Sequence, residues 1–117
     1  YEIADKIIPL NHLNTLSNQF NISIDYLLGL NISKIYPNIK KEINPEICSI
    51  RLKELRKEKK LTQVKLAQSL NTSHSVISSY EKGKTLILTS FLYTICKKYN
   101  ISADYLLGKI DSPKYLN

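Results

Sequence analysis

The chain has 117 residues and a formal net charge of +7, with 43% of its residues apolar and 23% charged. That is enough apolar material for one domain or two very small ones, with an ordinary charged surface. No run of about 18 apolar residues crosses a bilayer and no basic-then-apolar leader opens the chain, so a membrane-spanning or exported protein is not expected.

The charge is unevenly divided. Residues 1–48 hold four Lys against five Asp/Glu, whereas residues 49–117 hold thirteen Lys/Arg against five Asp/Glu. A polyanionic partner is therefore expected to meet the second half. Cys48 and Cys96 stand apart without Cys-x-x-Cys spacing; two cysteines could form one disulfide, but they read as reduced core or boundary residues of a cytoplasmic protein. The chain starts at Tyr1 and contains no Met, so natural sequence is expected ahead of Tyr1.

Residues 1–29 recur at residues 80–108 without gaps. Thirteen of the 29 positions are identical, including Tyr1/Tyr80, Glu2/Glu81 and the blocks Asn21-Ile22-Ser23 and Asp25-Tyr26-Leu27-Leu28-Gly29, which return at 100–102 and 104–108. Leu10, Leu13, Leu16 and Phe20 mark one face of a helix, matched by Leu92, Ile95 and Tyr99 in the second copy. A short helix follows in each, capped by Ser23 or Ser102, with Asp25 or Asp104 in its first turn and Gly29 or Gly108 at its end. Tyr26, Leu27 and Leu28 are expected to pack that helix down.

Residues 30–44 read as a connector, because Pro37 forbids a continuous helix. Asn44-Pro45-Glu46 starts the next helix, with a capping Asn, Pro at the first helical position and an acid in the first turn. It runs to about Lys59, with Ile47, Cys48, Leu52 and Leu55 on one side. Residues 61–84 then read as two short helices around a tight turn. Leu61, Leu66 and Leu70 recur at helical spacing, and Val76, Ile77 and Tyr80 repeat the pattern. Ala67 allows close approach, Asn71 suits a left-handed turn and Ser73 can cap the second helix. This is the pattern of a helix-turn-helix. The tail after Gly108 is expected to fray or to serve as an interaction segment. No strand signal is present, so the expected class is all-α.

The string from Glu54 to Gln63, then Leu66-Ala67, Ile77-Ser78 and Glu81-Lys82-Gly83-Lys84, resembles the Cro/cI-type (XRE-like) helix-turn-helix regulators over residues 50–109. The resemblance implies a five-helix, lambda-repressor-like DNA-binding domain at 45–110. Residues 1–30 would be the last helices of a second, truncated copy, 31–44 a linker and 111–117 a tail. Three positions depart from the family pattern: Lys60 and Asn71 stand where Gly is usual, and Ala4 matches Gly83.

What the resemblance implies for function is sequence-specific binding of double-stranded DNA by a bacterial or phage transcriptional regulator, of repressor type and homodimeric. An antitoxin or protein-interaction module on the same fold is the alternative. Ser73, His74, Ser75 and Ser79 occupy the positions that face base edges, opposite Val76, Ile77 and Tyr80. Gln63 matches a residue that contacts the DNA backbone and braces the recognition helix, and Arg51, Lys82 and Lys84 are candidate phosphate contacts, followed by Lys57 and Lys60. Arg56 and Glu81 match a family salt bridge that positions the recognition helix. His12 is expected at the surface. No metal, cofactor or small-molecule ligand is expected, because no second His or Cys lies at ligand spacing from His74. No Gly-rich phosphate loop or nucleophile signature supports an enzyme.

Overall fold

Asn44 begins the element on which the second half is built. In a computed structural model describing residues 9–31, 35–36 and 39–116, its side chain accepts from the N–H of Ile47 and Pro45 occupies the first turn of helix α3 (Pro45–Glu58). The helices in order are α1 (Leu10–Phe20), α2 (Ile24–Leu27), α3, α4 (Gln63–Ser69), α5 (His74–Glu81), α6 (Thr89–Tyr99) and α7 (Ala103–Leu106). Among the described residues there is no strand, only an isolated antiparallel bridge between Ile101 and Tyr115. None of these helices is long and apolar enough to cross a membrane. Pro37 and Ala4 lie outside the described residues.

Two left-handed residues re-aim the chain around α4. Lys60 takes φ 58°, letting the Leu61 N–H reach the Arg56 carbonyl, and Asn71 takes φ 57° in the turn to α5. Lys60 thus adopts the conformation that Gly adopts more freely. Thr62 caps α4 by accepting from the Lys65 N–H. Leu52, Leu55, Leu66, Ala67, Ile77 and Tyr80 are buried together, so α5 is held by its apolar stripe against α3 and α4. Full burial of each large aliphatic side chain is worth about 1.5–3 kcal/mol. Cys48 and Cys96 are free thiols in this core; burial pushes Cys48 up to about 12 and Cys96 well above its ordinary value.

The repeated helix pairs do not pack alike. In the second copy Leu92 and Ile95 are fully buried and Tyr99 is half-buried, its ring 5.9 Å from the Lys59 ammonium. In the first copy Leu10 and Leu13 are buried, but Leu16 and Phe20 are 36% and 61% exposed, and Tyr26 is exposed as well. The apolar face expected there is only half used, because no described helix covers its far end. Ser17 is buried instead, inside a polar contact described below.

Where the copies meet, α2 and α7 exchange caps. Ser23 and Ser102 each cap their own helix, accepting from Tyr26 and Tyr105 respectively. Each aspartate lies in the first turn of its own helix, as expected, and its carboxylate also crosses over. Asp25 accepts from the Ala103 N–H and the Ser102 hydroxyl, and Asp104 accepts from the Ile24 and Asp25 N–H groups at 3.1 and 2.8 Å. Tyr36 donates its hydroxyl to Asp25 at 2.7 Å, so the connector closes over the same seam. Burial and the Asp25 charge raise Asp104 to about 7, against the two backbone N–H donors that hold it down.

Of the two expectations for the tail, fraying is corrected. Lys109, Ile110 and Leu116 are buried, the Ser102 N–H donates to the Lys114 carbonyl, and the Leu116 N–H donates to the Asn100 carbonyl. Lys114 pairs with Glu58 at 2.8 Å. The segment fastens α3 to the end of α7.

Candidate nucleic-acid interface

The outward face of α5 is fixed from behind by an ion pair. Arg56 Nε donates to Glu81 Oε2 at 2.6 Å and Nη2 to Oε1 at 3.1 Å, with the two side chains only 12% and 3% exposed. Arg56 Nη1 also donates to the Leu61 carbonyl, tying the end of α3 to the loop before α4. A bidentate guanidinium–carboxylate pair fixes angle as well as distance, so α5 leaves the core in one orientation. Gln63 joins the same cluster, its amide donating to Glu81 Oε1 at 3.0 Å. Gln63 is thus a brace between α4 and α5, one of the two roles expected of it.

On the other side of α5, His74, Ser75, Ser78, Ser79, Lys82 and Lys84 line one shallow depression open to solvent. His74, Ser75, Lys82 and Lys84 are exposed. Ser73 stands at the start of α5, but its hydroxyl does not cap the helix as expected; it pairs with the Ser75 hydroxyl at 3.0 Å. Ser79 pairs likewise with Thr85 at 3.0 Å. Gly83, at φ 73°, turns the chain so that the Lys84 N–H bonds the Ser79 carbonyl. That turn carries Lys84 back beside Lys82 at the end of the helix. Small hydroxyls flanked by two ammonium groups make a surface that an anionic, hydrogen-bonding ligand can enter closely.

Of the expected contacts, the structure gathers His74, Ser75, Ser79, Lys82 and Lys84, with Ser73 at the edge. Ser78 is an addition; it lies four residues after His74 on the same face, a relation that helical spacing already contained. Arg51 is a correction. Its guanidinium donates to the carbonyls of Tyr105 and Ile110 and to Asp111, and lies 3.9 Å over the Tyr105 ring. With its side chain 13% exposed, it clamps the tail to α7, and these donors go to protein acceptors. Lys57 and Lys60 are exposed, and His12 is exposed as expected. No cluster of three or more metal-ligating side chains occurs among the described residues.

Residues 50–112 match a family model described as a helix-turn-helix domain. The chain belongs to this family of XRE-type helix-turn-helix proteins. It is similar to the HTH-type transcriptional regulator ImmR of Bacillus subtilis (strain 168), 39% identical over 64 residues covering 55% of this chain and 50% of that protein. It is also similar to the uncharacterized HTH-type transcriptional regulator YobD of the same organism, 35% identical over 63 residues, 54% of this chain and 56% of that one. Antitoxin PezA of Streptococcus pneumoniae is 34% identical over 58 residues, 50% of this chain and 37% of that protein. The chain thus spans about half or less of the length of these relatives. No solved structure matches it significantly.

Proposed function

We propose that the chain is a sequence-specific, double-strand DNA-binding transcriptional regulator, acting in the cytoplasm of a bacterium or from a phage genome as a repressor. The observation that carries this reading is the α5 face, where serine hydroxyls, His74, Lys82 and Lys84 share one open depression while the bidentate Arg56–Glu81 pair fixes the helix behind it. The names of ImmR and YobD agree with it. In this reading α5 enters the major groove, His74, Ser75 and Ser79 meet base edges, and Ser73 and Ser78 lie at the margins. Lys82 and Lys84 meet phosphates, and Gln63 offers its remaining amide hydrogen to the backbone beside α4. Phosphate contacts supply affinity that falls with salt; base contacts supply the choice of site. Short hydroxyls lack the bidentate reach of Arg or Gln, so discrimination by one head is modest. Pairing of two heads, as a dimer or through the tandem repeat that residues 9–31 represent, raises it.

Selection from a random duplex pool, followed by titration at moderate salt, tests the proposal. A recovered consensus that outcompetes unrelated duplex supports it; binding without preference for any sequence overturns it. The similarity to antitoxin PezA favours one second reading, in which the fold masks a protein partner. Co-purification with a small toxin, with no selected DNA consensus, would establish that reading instead.

A further inference from the structure

The seam between the copies is nearly symmetric at its centre and asymmetric at its flank. The centre is the exchange of Asp25 and Asp104, in which matching residues serve each other's helix. Such a contact is self-complementary and by itself would join two first copies or two second copies equally well. The flank is different. Lys109 is fully buried, and its ammonium donates to Asn14 Oδ1 at 2.6 Å, Ser17 Oγ at 3.0 Å and Asn18 Oδ1 at 3.4 Å, all on α1. The amides of Asn14 and Asn18 in turn donate to the Lys41 carbonyl, and the Ser17 hydroxyl to the Ile22 carbonyl, so the oxygens are held in place to receive it.

Extending the ungapped repeat by one residue, the position matching Lys109 is Leu30, and those matching Asn14, Ser17 and Asn18 are Tyr93, Cys96 and Lys97. Leu30 is packed against the core that contains Cys96. Cys96 is fully buried, and Lys97 sits on the Tyr93 hydroxyl at 3.4 Å. One flank therefore pairs a buried cation with three oxygens. The matching positions of the other flank hold a leucine, an aromatic ring, a thiol and a lysine. A second copy paired with itself would set Lys109 against Cys96 and a second cation. A first copy paired with itself would leave the three oxygens facing Leu30, with no ammonium to receive.

We infer that Lys109, with Asn14, Ser17 and Asn18 on one flank and Leu30 on the other, is a selectivity lock that makes the α2–α7 seam join a first copy to a second copy and reject like with like. The partner fitted to the α7 face is thus the chain's own 9–31 segment. The inference rests on the tandem part of the proposed function and not on DNA binding.

Urea unfolding of the full chain, without DNA, tests it. Asp25→Ala reads the pairing itself and is expected to lower the folded-to-unfolded ratio by about tenfold or more; no effect would overturn both the pairing and the lock. Asn18→Lys imitates at an exposed position the cation–cation contact of a second-copy pair. It is expected to lower the ratio by about fivefold in the parent chain and by less than about twofold in the K109L background. Leu30→Lys imitates the same mismatch on the other flank and is expected to cost about tenfold or more, while Leu30→Met is tolerated. Equal cost of Asn18→Lys in both backgrounds, with Asp25→Ala still damaging, would overturn the lock and leave the pairing. So would a Leu30→Lys chain as stable as Leu30→Met. If Leu30→Lys fails to fold, the cycle at Asn18 decides alone.

Discussion

The two copies of one repeated sequence, α1–α2 and α6–α7, share a motif and differ in what covers them. In the second copy the helix face at Ile95 closes under the rest of its domain; in the first the matching Leu16 is 36% exposed. The short helices nevertheless end alike, with glycine at φ 74° and 80°. Local chemistry such as caps and turns travels with the motif. Burial does not, since it depends on which neighbours arrive.

The largest effect expected from that contrast lies in the brace that α3 and α5 supply to the second copy's domain. Glu81→Ala leaves Arg56 buried without its counter-ion and removes the Gln63 contact, and should cost about 3–5 kcal/mol in denaturant unfolding. A loss below about 1 kcal/mol, the range of exposed pairs, would mean the brace is not buried in solution.

A direct comparison of the two faces comes next. Ile95→Ala should cost about 2–5 kcal/mol, because a fully buried side chain leaves a cavity. Leu16→Ala at the matching position should stay within about 1 kcal/mol. Equal losses would show that the first copy's outer face is covered.

The seam shared by both copies should respond to pH. Burial, and secondly the Asp25 carboxylate beside it, raise Asp104 to about 7 in the folded chain from an ordinary 3.8. Between those values the folded chain holds a proton that the unfolded chain has released. Stability should therefore fall as pH rises through that window, by up to about 1.4 kcal/mol per pH unit for one proton. Asp104→Asn should flatten the slope, as read by unfolding midpoints between those pH limits.

The smallest effect sharpens the charge contrast. The first-copy residues matching Lys82 and Lys84 are Ile3 and Asp5, so the two lysines belong to the second copy alone. Lys84→Ala should weaken binding to all duplexes similarly and reduce the slope of affinity against salt by about 1, measured by titration at several salt concentrations.

Much of the fold was legible before any coordinates. Asn44-Pro45-Glu46 announced α3, Asn71 announced the turn, and the spacing of Leu66, Ile77 and Tyr80 announced the packed pair. The reason is that these are local or periodic signals. For Arg51 a sequence shows an Arg on a helix but not the carbonyls of Tyr105 and Ile110, more than 50 residues away, that take up its donors. Asp25 and Asp104 do lie in their own first turns, but their crossing was not legible for a related reason: only the meeting of two copies brings the second set of donors. The tail looked frayed because nothing in its composition reveals that Lys109 has a prepared pocket on α1. The α5 face was legible in its residue types, and Ser78 was overlooked although it shares the face of His74.

Mapping of backbone amide shifts, while the selected duplex is added to the isotope-labelled chain, tests the central claim most directly. Perturbations centred on His74, Ser75, Ser78, Ser79, Lys82 and Lys84, with Arg51 and α7 unmoved, are the expected result. Perturbations centred on α7, Arg51 or the exposed face of α1, with α5 silent, would contradict it.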